Sequence, residues 1–242
     1  MTIKKILAAV SLFFSISAMS QENDGKNMGK VNLSAFTFKG LGVQYERQVG
    51  RKVTVAMGLG IIPKSTIAFK SAIEKQIDDP DVKVGDFRLG TTILTPEVRY
   101  YFSQKGAFHG FYLAPYARFG WYNLQGPVSY SSSTGFKRDA VFNGKLNTIT
   151  GGLMAGSSWH LSKRLYLDLW IIGASYGGAN GNLVTVTPLN AQEQQSLKRE
   201  LDEIEIAGTT MTSEVNSNGA TVTTKGSMVG ARGLGINLGI RF

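Results

Sequence analysis

The stretch "GLGINLGIRF" (233–242) alternates with period two. Leu234, Ile236, Leu238, Ile240 and Phe242 fall on one parity, and Gly233, Gly235, Asn237, Gly239 and Arg241 on the other. Successive side chains of a strand point to opposite faces, so this stretch reads as a strand with one apolar face and one small or polar face. It stops on Phe242. A strand at a chain end frays unless something ties it down, so the pattern calls for a pairing partner.

The same alternation recurs seven times upstream. Val31, Leu33 and Ala35 alternate with Asn32, Ser34 and Phe36, and Val43 and Tyr45 with Gln44 and Glu46. Val53, Val55, Met57, Leu59 and Ile61 alternate with Thr54, Ala56, Gly58 and Gly60. Over 88–102, Leu94, Val98, Tyr100 and Phe102 oppose Thr95, Glu97 and Arg99. Over 110–122, Phe111, Leu113, Phe119 and Trp121 oppose Tyr112, Tyr116 and Arg118. Over 146–159, Ile149, Leu153 and Trp159 oppose Thr148, Thr150, Gly152 and Gly156. Over 164–176, Leu165, Leu167, Leu169 and Ile171 oppose Arg164, Tyr166, Asp168 and Trp170. Eight strands result, an even number.

The connections sort by length. "VGRK" (49–52), "SQKGAFH" (103–109) and "HLSKR" (160–164) are short, whereas 63–87, 123–145 and 177–226 are long. The first hairpin turns near Lys39-Gly40. Short turns at one end and long loops at the other are the pattern of an up-and-down β-barrel in an outer membrane. In the last loop, "TPLNAQEQQSLKRELDEIEI" (187–206) reads as a helix. Asn190 and Glu193 have capping-box spacing, and Leu197, Leu201 and Ile204 share a face. A shorter helix is expected in 67–77, and 211–226 reads as a hairpin turning at Asn218-Gly219. The Ser-rich 129–139 stretch reads as loop.

The faces decide the environment. The parity that carries glycine also carries Glu46, Glu97, Asp168, Arg99, Arg118 and Arg232, and the other is Leu, Val, Ile and Phe. Contiguous apolar surface on this scale is not left to water, and charges in a closed interior must pair. The six charged residues are therefore expected to form a network that fills the lumen. A soluble lipocalin-like barrel would put the apolar face inward. Tyr100, Phe102, Phe111, Trp159 and Phe242 fall at the short-turn end and Trp121 at the long-loop end, which matches two aromatic girdles.

The composition narrows the chemistry. The chain of 242 residues has a net charge of +9 and no cysteine, so disulfides and thiolate metal sites are excluded. Its basic residues are scattered, with no dense run outside the first few positions, and nucleic acid is not an expected partner. Lys4-Lys5, an apolar run from Ile6 to Ala18 and the small-x-small Ala18-Met19-Ser20 read as a signal peptide over 1–20. A short periplasmic segment is then expected over 21–29 and the barrel over 30–242. His109 and His160 sit in short turns, away from the long loops; the resemblance to eight-stranded lipid-modifying barrels, which use Ser and His near the outer leaflet, implies that a Ser-His hydrolase is disfavoured. "GARGLG" (230–235) lacks a phosphate-loop Lys-Ser/Thr pair. No catalytic, cofactor or metal site is assigned.

The last strand resembles the C-terminal signature of Gram-negative outer-membrane proteins, with Phe242 terminal and Ile240, Leu238 and Ile236 at alternate positions before it. That resemblance implies recognition by the barrel-assembly machinery. "YERQVGRKVTVAMGLG" (45–60) and "PEVRYYF" (96–102) resemble the strand-turn-strand and strand-end motifs of small OmpA/OmpX-like barrels. This resemblance implies an outer-membrane location, lipid as the surrounding partner, and no settled activity. The expected role is structural, in envelope integrity or at the surface. The alternative is a narrow pore or a barrel that binds or transports a small hydrophobic ligand. No extracellular partner is specified by the sequence.

Overall fold

In the computed structural model the described residues are 25–66, 84–132, 134–204 and 208–242. The expected signal peptide and the 67–77 helix lie outside them. Nine strands form one antiparallel sheet: β1 (Asn27–Asn32), β2 (Leu41–Gln48), β3 (Val53–Thr66), β4 (Arg88–Tyr101), β5 (Gly110–Ser131), β6 (Lys137–Ser162), β7 (Leu165–Val186), β8 (Thr209–Asn216) and β9 (Gly219–Arg241). Consecutive strands pair from β1 to β7, β7 pairs with β9, and β9 pairs back to β1. Eight strands thus close a ring, and β8 hangs on the far half of β9 as a hairpin turning at Asn216–Gly219.

The partner that the last strand calls for is β1. Met28 to Asn32 pair with Arg241 to Asn237, and Asn27 and Phe242 exchange two backbone hydrogen bonds of 3.0 and 2.8 Å. Arg241 Nε also donates to the Gly25 carbonyl at 2.6 Å. The terminal strand is a central strand of a closed sheet.

Three sequence expectations change. The alternation predicts a first strand through Ala35; the strand stops at Asn32, and Ser34–Phe38 turn as a 3-10 helix ending at Lys39 with φ 56°. Asn32 Oδ1 accepts from Ala35 N–H at 2.9 Å, a local bond that competes with the ladder. The ring also begins at Asn27, three residues before the expected boundary at 30. Finally, the regions expected as long loops over 123–145 and 177–226 are mostly strand. The β5–β6 ladder runs unbroken from Gly110↔Ser158 to Ser131↔Lys137, and β7–β9 reaches Val186↔Gly219.

Those extensions escape the pattern because their polarity is reversed. Below Trp121 the outward positions of β5 and β6 are Phe111, Leu113, Phe119, Ile149, Leu153 and Trp159. Above it the outward positions are mostly polar, with Asn123, Gln125, Asn143, Lys145 and Asn147 outward and Val141 the exposed apolar exception, while Tyr130, Ala140 and Phe142 turn inward. Tyr130, Ala140, Phe142, Ala220 and Val222 pack there with Leu189, Leu197 and Leu201. Leu197 and Leu201 belong to α1 (Ala191–Asp202), and Ile204, just beyond it, is exposed. Asn190 caps α1 through Gln192 and Glu193 N–H, and Glu193 returns a bond to Asn190 N–H. Asp202, at its end, accepts from Lys198 and from Ser213 of β8. An aliphatic-rich core thus sits inside the extended half, whereas the ring below it turns its aliphatic face outside and packs Met28, Tyr101, Phe108, Tyr112, Met154 and Tyr166 within.

Candidate functional site

The interior of the lower half is charged. Glu46 from β2, Glu97 and Arg99 from β4, Asp168 from β7 and Arg232 from β9 all face inward and are buried. Arg99 is the hub. Its Nη1 donates to Asp168 Oδ2 at 2.8 Å and lies 3.1 Å from Glu46 Oε2; its Nε donates to Glu97 Oε1 at 2.6 Å; its Nη2 donates to Gln44 Oε1 at 2.9 Å. Arg232 Nη1 donates to Glu97 Oε2 at 2.6 Å. Gln44 Nε2 donates to Glu97 Oε1 at 2.9 Å.

Lys30, from β1, is the member the sequence reading missed. Its Nζ pairs with Glu46 and donates to Asp168 Oδ2 at 2.6 Å, with both partners fully buried. The signal is present in the sequence: Lys30 shares its parity with Asn32 and sits one residue before the alternation that starts at Val31. With Lys30 the cluster holds three carboxylates and three cations. Hydroxyls complete the shell. Thr54 Oγ1 and Tyr101 Oη donate to Glu46 Oε1 at 2.6 and 2.7 Å, and Tyr112 Oη donates to Asp168 Oδ1 at 2.7 Å. Buried charge is tolerable when paired and hydrogen-bonded in this way.

Arg118 does not join the cluster, although its parity predicts that it should. It lies opposite Thr150 on β6, two positions beyond Tyr116 toward the extended half, and makes no ion pair among the described residues. Its inward neighbours at that level, Thr148 and Thr150, are neutral. The cation that pairs with Glu97 is instead Arg232, whose guanidinium stacks 3.9 Å from the Trp170 ring and 5.2 Å from the Tyr116 ring.

Two features show how completely the lower interior is filled. In ring order β4 and β9 are diametrically opposite, yet Glu97 and Arg232 touch. The interior glycines make room for aromatic rings: a methyl group on Gly156 would overlap Tyr112, and one on Gly235 would overlap Trp170. Arg232 owes its inward position to an interruption. It has the even parity of outward Leu234, and strict alternation would turn it out. Leu234 takes φ 50°, and Gly233 and Leu234 both face outward, which switches the parity between Arg232 and Gly235. Ile171 and Ile172 do the same on β7, where the register with β6 slips by one residue.

His109 and His160 stand 6.2 Å apart at the short-turn rim, each packed against Tyr166, and His109 Nδ1 lies 2.9 Å from the Ala107 carbonyl oxygen. No group of three or more His, Cys, Asp or Glu residues able to hold a metal occurs among the described residues. Phe242, Ile240 and Leu238 are partly buried on the outward parity of β9.

No curated protein matches the chain. Solved structures similar to it include a major outer membrane protein of Thermus thermophilus, 13% identical with a TM-score of 0.39, covering 89% of this chain and 99% of the other. The β domain of the Bordetella autotransporter Brka is 12% identical with a TM-score of 0.33, over 91% of this chain and 99% of that one. The translocator domain of the autotransporter NalP of Neisseria meningitidis is 10% identical with a TM-score of 0.29, over 99% and 96% of the two chains. A family model described as "Protein of unknown function (DUF3575)" matches residues 8–196, and the chain belongs to that family.

Proposed function

We propose that this chain is an outer-membrane β-barrel with a sealed lumen, acting as a structural or surface-presenting element of the envelope. The observation that carries the reading is the reversal of polarity along β5 and β6 at Trp121. A strand whose apolar face changes sides is built for two solvents. Ten residues separate Phe111 from Trp121 on β5. At a rise of about 3.4 Å per residue and a tilt of about 40°, they span about 25 Å, the height of the apolar band of such barrels. Closure of the ring by β1 and β9 leaves no open sheet edge in that band, as lipid requires. The signal-peptide pattern at 1–20 and the resemblance of the last strand to an assembly signal (Leu238, Ile240, Phe242) support the outer membrane as the destination.

The ion-paired cluster across the lower lumen favours a plug over a pore, since eight strands leave room only for side chains or one small ligand. Purified protein in a planar bilayer is expected to show no discrete conductance steps. Stable, voltage-insensitive channels from the wild-type chain would overturn the plug and favour the pore reading. Vesicle flotation of the refolded chain tests the membrane reading by itself.

A further inference from the structure

The outer wall carries a groove where β2 to β5 run side by side. It has a volume of 580 Å³, is lined almost wholly by apolar surface, and is built chiefly on Val55, Met57, Pro96, Val98, Pro115 and Ala117. The volume lies within the range of about 300–1,000 Å³ typical of small-ligand clefts. Glu97 and Tyr116, whose side chains turn inward, also line it, so it reaches down to the wall itself.

Two prolines explain the dent. The register Glu97↔Tyr116 sets Pro96 opposite Ala117 and Pro115 opposite Val98. Phe102 N–H donates to Phe111 O at 3.0 Å on the same register, and bonded pairs alternate along an antiparallel ladder, so both prolines occupy bonded positions. Proline has no N–H, and the ladder carbonyls of Ala117 and Val98 lose that donor. Paired residues are correspondingly sparse between Leu94 and Tyr100, while the neighbouring β5–β6 ladder is continuous. The small Ala117 and the short proline rings then leave the seam uncovered.

The groove has a polar end. Arg47, Val55, Val98 and Pro115 form one row across four strands. Arg47 is one residue from the end of β2, Val98 three from the end of β4 and Pro115 five from the start of β5. The row therefore climbs from the short-turn rim into the middle of the apolar band. At the rim the exposed Arg47 reaches only Asn27 Oδ1, at 3.4 Å, and makes no ion pair among the described residues; Tyr45 Oη donates to the same oxygen at 2.6 Å. A guanidinium at the water interface with an apolar groove leading from it is complementary to one molecule class, an anion carrying an aliphatic chain.

We propose that this seam seats one anionic phospholipid of the leaflet at the short-turn end, its phosphate on Arg47 and one acyl chain against Pro96, Pro115 and Ala117. The proposal rests on the membrane reading above. It makes the β4–β5 seam a lipid site rather than a defect: the chain covers main chain that the prolines left without a ladder partner.

The test uses the full chain refolded into phosphatidylcholine vesicles doped with phosphatidylglycerol that carries a photoreactive group on its acyl chain. Cross-links, mapped by mass spectrometry, are expected to concentrate on the 88–118 segment over the Ile149–Leu153 wall. Labelling should fall several-fold in Arg47→Gln and be lost in Ala117→Phe, which fills the groove, while both variants keep the heat-dependent gel shift of a folded barrel. The same photoreactive chain on phosphatidylcholine should label the segment several-fold less. Even labelling around the wall, or labelling unchanged by both substitutions, overturns the seat. Equal labelling by the two lipids overturns the role of Arg47. A chain that fails to float with vesicles sinks the membrane reading and the seat together, whereas one that floats and labels evenly sinks the seat alone.

Discussion

Glu97 shows what a single residue does in this interior. It accepts from Arg99, Arg232 and Gln44 and is the ion-pair partner that ties Arg232 to the cluster. Removing one partner of a buried pair costs about 3–5 kcal/mol, because the charge left behind stays desolvated. Glu97→Ala is therefore expected to destabilise the folded ring by that amount in urea titrations monitored by gel mobility. Glu97→Ala combined with Arg232→Met should recover part of the loss, since the second change removes the stranded cation. A double variant no more stable than the single one would show that Arg232 does not depend on Glu97. The carboxylates of this cluster were legible in the sequence, because each sits on the glycine-bearing parity of an alternating run. Lys30 is legible by the same parity only when the first strand is carried back past Val31, because its alternation with Val31 and Asn32 is short and stops at Asn32. The exclusion of Arg118 was not legible: parity states which way a side chain points but not which neighbours share its level.

A strand is a set of levels, and the levels predict opposite responses to charge. Leu153 faces outward and is about half exposed, at 51%. On the membrane reading Leu153→Arg places a cation near the middle of the apolar band, at a cost of about 2–4 kcal/mol. Thr150, on the same strand, faces inward opposite Arg118, which has no ion-pair partner among the described residues. Thr150→Glu should be tolerated, and a cross-strand pair of opposite charges contributes roughly 0.2–1 kcal/mol, whereas Thr150→Arg would set like charges face to face. Refolding yields of the three variants rank these outcomes; Leu153→Arg folding as well as Thr150→Glu would show the outward face is not in lipid. Element existence was readable for all eight ring strands. Their lengths were not, because a strand that leaves one solvent for another keeps its period and reverses its sign. Asn123 to Ser131 then looks like loop when it is read for outward apolar residues. The proline seam was equally hidden: Pro96 and Pro115 lie far apart in sequence, and only the register sets them on facing strands.

For the whole molecule, closure rests on the shortest ladders. The β1–β9 register covers five residue pairs, from Met28↔Arg241 to Asn32↔Asn237, with Asn27 and Phe242 bonded beyond it. Deleting Phe242 removes two of these hydrogen bonds and the last residue of the resembled assembly signal. The expected result is a lower yield of heat-modifiable protein in the outer membrane, with little change in the stability of whatever does assemble; unchanged yield would deny the residue that role. The timing of synthesis is where this closure has its largest consequence. Asn27 is made early and its partner is the last described residue, so the loop that must close is nearly the whole chain, an entropic cost of about 5 kcal/mol from length alone. Until that moment both edges are bare templates for other copies. The ring therefore cannot close until the strand ending at Arg241 is free to meet Asn27–Asn32. On the membrane reading the chain is expected to reach the bilayer with both edges unpaired, and a factor that shields those two edges and an apolar face at once would preserve it on the way.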